Sequence, residues 1–426
     1  MIFGSAGSGK SFLIHSLAHL LGDKCTLTAT TGIAAWNVNG RTIHSVLALT
    51  RNKISTETLT TLQDALQRID YILVDECSMM GQRLLFKFDQ RLREICANDL
   101  VFGGKNIIFL GDFKQLPPVL DTPMWMQPPI DATDAKRQGY ALYKQFNKII
   151  TLKKIHRQND PVYLDLLKNV GQGEITVEDW HLLNSRDPDL NPKILQHEKY
   201  DDIVRLYGTN NEVEKYNLDT CVKLGNPIAK VIGAHSDNVA LSADARDFWG
   251  LKNVLYLSVG SKVMLRINLL TKFGLVNGSQ GIIRDIIYDE NATENDMPKV
   301  IIVEFPDYTG DPLLGEKYPK CIPIAPFTAQ SFYRGKMRTR TQFPLRLCWA
   351  MTIHKSQGLT LNKAVIDIGK KDIGIGMTYV ALSRVKTIKG LFFKSKSFER
   401  FQKINDSLML RLRKEAQDKL HQFECL

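Results

Sequence analysis

The run Gly4-Ser-Ala-Gly-Ser-Gly-Lys10-Ser11 has the spacing GxxxxGK[ST], a glycine-rich turn that ends in one lysine and one hydroxyl. These residue types in this order suit the holding of a polyphosphate. Glycines let successive backbone N–H groups curl around phosphate oxygens, the lysine reaches the outer phosphates, and the hydroxyl ligates Mg²⁺. A helix that starts directly after the turn adds its N-terminal dipole. Gly4, Ser5, Ala6, Gly7, Ser8, Gly9, Lys10, Ser11 and Phe12 are therefore expected to bind ATP, with Ser11 on the metal.

Val74-Asp75-Glu76 closes a later apolar run. Asp75 is expected to hold Mg²⁺ through water, and Glu76 to orient and deprotonate the attacking water. Adjacent carboxylates are common on surfaces, so the pair gains its meaning from following a phosphate loop. Gly111-Asp112-Phe113-Lys114-Gln115-Leu116-Pro117-Pro118 follows the next apolar run. The Gln115 amide suits the γ-phosphate or the attacking water, and Asp112 could instead cap the turn. Phosphoryl transfer also needs cations around the transferring group. Arg157, in Ile155-His-Arg-Gln158, and Arg384, in Val380-Ala-Leu-Ser-Arg384, are the candidates.

These residues must be positioned by regular elements. Cys25–Ala29, Tyr71–Val74 and Ile107–Leu110 read as buried strands, while Ser11–Leu21 and Gln82–Ile95 have helical spacing. Such alternation implies a parallel, doubly wound sheet, whose ligands bind at the C-terminal strand ends. Positions 50–67 form a polar stretch without a strong strand, and 121–138 reads as a surface connection. Lys262–Ile267, Gly281–Tyr288 and Val300–Phe305 are short β-type runs, with turn chemistry at Asn277-Gly278, and imply a small antiparallel barrel. Ala364–Ile368 returns to the βα pattern. Near the C-terminus, Phe401, Ile404, Leu408 and Leu412 share one helical face, expected to dock on the body of the protein.

Composition narrows the partners. With 426 residues, two to four domains of roughly 100–200 residues each are expected. A formal net charge of +11 fits a phosphate backbone as partner, although a solvated basic surface gives the same number. No apolar run of about 18 residues is present to span a membrane. The seven cysteines are scattered and none has CxxC spacing, so neither zinc, an iron–sulfur cluster nor a secreted disulfide scaffold is expected. The chain reads as intracellular.

Taken with Thr28-Ala-Thr-Thr-Gly-Ile-Ala-Ala35, Gly40-Arg-Thr-Ile-His-Ser45, Thr352-Ile-His-Lys-Ser-Gln-Gly358 and Tyr379-Val-Ala-Leu-Ser-Arg384, these motifs resemble the petite-integration-frequency family of superfamily 1 DNA helicases. More distantly they resemble the RecD and Dda helicases. The resemblance implies an α/β fold: two RecA-like P-loop NTPase domains, each a parallel sheet flanked by helices, with a small SH3-like β-barrel inserted in the second. On this pattern, 1–148 is the first domain, with a wedge-like excursion near 46–68; 149–225 and 340–395 form the second; 226–339 is the insertion; and 396–426 is a basic amphipathic helix. The family carries a segment before the phosphate loop, with an adenine-reading glutamine and an element that completes the first strand. Here Met1-Ile-Phe3 precede Gly4.

The resemblance also implies 5′-to-3′ movement on single-stranded DNA, with forked duplex DNA as substrate and single-stranded DNA-binding or replication proteins as further partners. It assigns ATPase roles to Lys10, Ser11, Asp75, Glu76, Gln115, Arg157 and Arg384, and DNA contacts to Thr30, Thr31, Gly32, His44, Ser45, Thr352, His354, Lys355, Ser356 and Gly358. The hydroxyls of Thr30, Thr31, Ser45, Thr352 and Ser356 could donate to phosphates, and His44, His354 and Trp36 could stack on bases. Such contacts grip a backbone and read little sequence. The expected setting is the nucleus, or a viral or mitochondrial DNA compartment. Two other readings use the same motifs: a P-loop ATPase that remodels proteins, and a non-catalytic DNA-binding relic.

Overall fold

The computed structural model describes residues 1–49, 54–195, 200–293, 296–333, 336–369, 376–394, 398 and 407–421. The chain forms two compact units, Met1–Gly208 together with Ile353–Leu426, and Thr209–Thr352.

The first unit is built on a six-stranded sheet of β1 (Ile2–Gly4), β2 (Cys25–Ala29), β3 (Arg41–Thr42), β4 (Tyr71–Asp75), β5 (Asn106–Gly111) and β6 (Ile150–Leu152). The spatial order is β3-β2-β4-β5-β1-β6, and every pairing is parallel. Alternate side chains of one strand enter different cores, as the pleat requires. Ile72, Val74 and Phe109 join Leu85, Phe88 and Leu92 of the helix Gln82–Cys96, on one face. Leu73 and Leu110 join Ile14 of the helix Lys10–Leu21, on the other. With both faces covered, β4 buries four of its five residues, which is why its sequence is nearly continuous in apolar residues. Met1–Phe3 lead into the loop, and β1 forms there. Ile2 pairs with Leu110 and Ile150, and lies in the core.

Arg205–Tyr207, Ala364–Asp367 and Leu391–Lys394 form a second parallel sheet in the same unit, with Ala364–Asp367 between the other two. The protein is thus α/β with parallel sheets, as expected. Three local readings change. The polar stretch contains a helix, Thr56–Leu66, capped by the Ser55 hydroxyl, and Leu59, Leu62 and Leu66 pack on the first sheet's core; positions 50–53 lie outside the described residues. The expected surface connection 121–138 holds as far as 133, and its last five positions open the helix Asp134–Tyr143. The C-terminal helix Leu408–His421 docks through Met409, Leu412 and Ala416, while Leu408 is 63% exposed, so the buried face is rotated from the expected one. Phe401 and Ile404 lie outside the described residues.

The second unit is rich in antiparallel β-structure. Its main sheet runs in the order Cys321–Ile324, Val300–Glu304, Gln280–Ile287, Lys262–Leu265, Leu345–Leu347, with a bulge between Ile283 and Asp285. Val263, Leu265, Ile283, Ile301, Val303 and Ile322 fill its core. The unit starts before the expected 226 and ends after 339 because the helix Asn210–Lys223 belongs to it. Asn217 of that helix donates its side-chain amide to the Leu347 and Ala350 carbonyls and accepts from the Ala350 N–H.

In the first unit the helices Gln82–Cys96 and Asp134–Tyr143 touch at Gly139, where a Cβ would stand 2.0 Å from the Gln82 carbonyl oxygen. Backbone cannot yield there as a flexible side chain would. Gly139→Ala is therefore expected to destabilise the fold by about 1–3 kcal/mol, as overpacking does, read as a lower urea midpoint. An unchanged midpoint would refute this packing.

Candidate active site

The C-terminal ends of β1 and β4, and the turn that follows β5, meet at one cleft. Its lining includes Ala6, Gly7, Gly9, Lys10, Ser11 and Phe12 from the loop and helix start, Asp75 and Glu76 after β4, Gln115 after β5, and Arg157 and Arg384. All of them belong to the first unit. Six of the nine expected nucleotide residues thus line one cleft with both arginines, and Gly4, Ser5 and Ser8 are not part of that lining. The cleft's volume of about 230 Å³ lies below the usual 300–1,000 Å³ of small-molecule pockets, which suits a phosphate tail better than a whole nucleotide.

Gly7 and Gly9 carry φ of +83° and +88°, the left-handed region that favours glycine. Gly7 has a second reason to be glycine, since a Cβ there would lie 2.5 Å from the Arg157 Cβ. The His156 N–H donates to the Gly7 carbonyl at 2.7 Å, so the arginine segment is fastened to the loop itself. Lys10 Nζ donates to the Gly4 and Ser5 carbonyls at 2.7 and 3.2 Å, folded back on its own loop.

Asp75 accepts the Glu76 N–H at 2.8 Å. Burial and the neighbouring Glu76 carboxylate push the Asp75 carboxyl up, against the pull of Lys10. A divalent cation beside it would restore the charged form. Glu76 is itself held in the left-handed region, at φ +52° and ψ +44°. Gln115 is buried, and its Oε1 has no hydrogen-bond partner. Burial and Arg384 lower the Arg157 guanidinium to about 10, so it stays cationic at neutral pH. Its Nη1 donates to the Ser383 carbonyl at 2.9 Å. Arg384 is wholly buried and is tied to its own helix, donating to the Val380 carbonyl and the Ser383 hydroxyl at 2.9 and 2.8 Å.

The model of the PIF1-like helicase family matches residues 1–180. An ATP-dependent DNA helicase PIF1 of Danio rerio is 29% identical over 403 residues, which cover 91% of this chain and 57% of that protein. An ATP-dependent DNA helicase Pif1 of Bdellovibrio bacteriovorus is also 29% identical, over 91% of this chain and 82% of its own length. A Bacteroides Pif1 helicase, solved in complex with ADP-AlF3 and single-stranded DNA, superposes with a TM-score of 0.72 at 26% identity, over 98% of this chain and 93% of that one. The chain is similar to the PIF1-like helicase family model over residues 1–180 and to these helicases over most of its length. It spans less than two thirds of the length of several curated relatives.

The residues expected on DNA divide. His44 and Ser45 stand on a short helix, Ile43–Val46, Ser45 exposed and His44 half-buried. Burial, helped by Lys87, lowers the His44 imidazole, and burial lowers that of His354, which favours their neutral forms. Gly32 and Lys355 are half-buried. Three hydroxyls are bonded to backbone. Thr30 Oγ1 donates to the Glu76 carbonyl at 2.9 Å, the Thr31 hydroxyl accepts the Ala34 N–H, and the wholly buried Ser356 donates to the Ile353 carbonyl at 2.8 Å. Such side-chain-to-backbone bonds are the usual alternative use of Thr and Ser hydroxyls. Thr352 is buried in the last strand of the second unit. Gly358 adopts φ +84°, and its carbonyl accepts from Asn37 Nδ2. The Trp36 side chain lies outside the described residues.

Two residues inside the quoted motifs had no role assigned from sequence. The Tyr379 hydroxyl accepts the Ala6 N–H of the loop and donates to Asp112 Oδ2, both at 3.0 Å. It thereby braces the loop against the turn that presents Gln115, and Asp112 caps that turn by accepting the Lys114 N–H. Gln357 reaches Glu76. Membership of a motif was the only sequence signal for either.

Gly7→Ala forces a strained φ and drives apart the loop and Arg157. Nucleotide affinity is expected to fall at least about tenfold, the effect of one lost charge-assisted contact, measured well below the variant's thermal midpoint, which the strain lowers. Equal affinity, measured with a fluorescent nucleotide, would show that the loop and Arg157 do not act together.

Proposed function

We propose that this chain is an ATP-dependent DNA helicase that moves 5′-to-3′ along single-stranded DNA and separates duplexes, in replication, repair or recombination. The observation that carries this reading is the shared cleft, where a phosphate loop, two carboxylates and Gln115 from the first sheet face two arginines from segments beyond it. That its relatives are named ATP-dependent DNA helicases supports the same reading.

The donor set fits Mg²⁺. Among the described residues no cluster of three or more His, Cys, Asp or Glu side chains could form an all-protein metal cage. One carboxylate and one hydroxyl beside a phosphate loop are what Mg²⁺ needs, because it keeps waters and takes substrate oxygens. Asp75 and Ser11 would hold it, and the bound ion would neutralise charge on the β- and γ-phosphates. Lys10 exchanges the Gly4 and Ser5 carbonyls for phosphate oxygens. Glu76 orients a water and takes its proton. Gln115 bonds the same water or the γ-phosphate. Arg157 and Arg384 offset the charge that develops on the transferring group.

The first parallel sheet and the second, with the residues that flank each, are proposed as the two RecA-like lobes, and 209–352 as the insertion. ATP would draw the lobes together across the arginines, and hydrolysis would let them part. Lobes that grip a strand in alternation then step along it. The DNA track implies an intracellular setting, with the nucleus or a viral or mitochondrial DNA compartment as the proposed site of work. Single-stranded DNA-binding or replication proteins are the proposed further partners.

The test is strand displacement on forks with either a 5′ or a 3′ tail. Opening is expected only with ATP and a 5′ tail, and Lys10→Ala should lower DNA-stimulated turnover by on the order of 10²-fold or more. Binding to the strand should weaken steeply with salt. Turnover that ignores DNA would favour a protein-remodelling ATPase, and DNA binding without any hydrolysis would favour a relic.

A further inference from the structure

Glu76 occupies a backbone conformation that a non-glycine residue adopts only when its surroundings hold it there. Two side chains supply that hold. Thr30 Oγ1 bonds the Glu76 carbonyl, and Gln357 Nε2 donates to Glu76 Oε2 at 3.1 Å. Both belong to segments that resemble the DNA-touching segments of the family, so the water-activating carboxylate is wired directly to the track side of the protein.

The Gln357 contact is lopsided. The side chain is 3% exposed, and its Nε2 also approaches the Ser78 hydroxyl at 3.4 Å, yet its Oε1 is buried with no partner. A buried amide oxygen without a donor is costly, so this rotamer is poised to change when the segment moves. An amide donor on a carboxylate takes up a lone pair that an attacking water would otherwise use. The surrounding turn is held at two points, with Ser356 tied back to Ile353 and the carbonyl of Gly358, in the left-handed region, bonded to Asn37.

We propose that Gln357 is a latch that holds Glu76 back from water until single-stranded DNA settles on positions 354–358 and shifts the turn. The latch makes hydrolysis depend on the track: without DNA the base is occupied by an amide, and with DNA it is free to take the proton. This rests on the reading of Glu76 as the group that activates water. Gln357 is a positioning residue, acting through Glu76.

The test uses Gln357→Met in the full chain, which keeps the length and volume of the side chain and removes the donor. DNA-free turnover is expected to rise about tenfold, the worth of one hydrogen bond to a charged group, and the ratio of DNA-stimulated to DNA-free turnover should fall correspondingly. Affinity for a fluorescent oligothymidylate without nucleotide should stay within about twofold. A wild-type ratio, or a drop in DNA-free turnover, overturns the latch. Gln357→Asn, one methylene too short to reach Glu76, gives the same readout if the methionine variant folds poorly, as a thermal melt would reveal. Glu76→Gln separates the two ideas. If it retains turnover, the assignment of the base is wrong; if it is inactive while Gln357→Met keeps the wild-type ratio, only the latch fails.

Discussion

The close approach of the phosphate loop to the segment that carries Arg157 governs the rest of the site. It is possible only because Gly7 has no side chain, and it is secured by the bond from the His156 N–H to the Gly7 carbonyl. Through it, Lys10, Arg157 and Arg384 share a buried cleft with Asp75 and Glu76. Burial and then Arg384 lower Arg157 while Glu76 opposes, and burial and then Glu76 raise Asp75 while Lys10 opposes. Charges and dipoles fixed in this way are preorganised for a phosphate group and its divalent cation, because they need not reorient when the phosphates arrive.

The same logic sets what could be read in advance. That Gly7, Gly9, Lys10, Ser11, Asp75, Glu76 and Gln115 would meet at one cleft was legible because each group follows an apolar strand whose end is fixed by the sheet, and because the chemistry proposed for them accepts few residue types. The strands themselves were legible since both faces of the sheet are covered. Hydroxyl residues were not. Thr30 and Ser356 could serve DNA or backbone equally well, and only the fold decides which partner is within reach. The helix Thr56–Leu66 was obscured for a different reason. Leu59, Leu62 and Leu66 do keep helical spacing, but four of its residues are threonine, a weak helix former. Tertiary packing of the leucines overrides that propensity. Tyr379 and Gln357 lay in plain view within motifs, and their roles depend on atoms far away in the chain.

The two arginines are not equivalent, and the difference bears on how a motor of this kind would work. Arg384 donates to two groups of its own helix and has no solvent access, so its position is dictated by the helix Met377–Ser383. The Tyr379 hydroxyl fixes that same helix to the loop and to Asp112. Arg384 also donates to the Leu359 carbonyl, and the Tyr163 hydroxyl donates to the Leu382 carbonyl, so this end of the helix is held from several sides. Arg157 is fastened differently: its backbone rides on the loop, while its guanidinium is bonded to the Ser383 carbonyl at the end of that helix. It thus links the phosphate loop to the helix that bears Tyr379. Were the proposed lobes to part here, the bonds broken would be made by groups that also touch the phosphate site, which is what hydrolysis needs in order to be felt as motion.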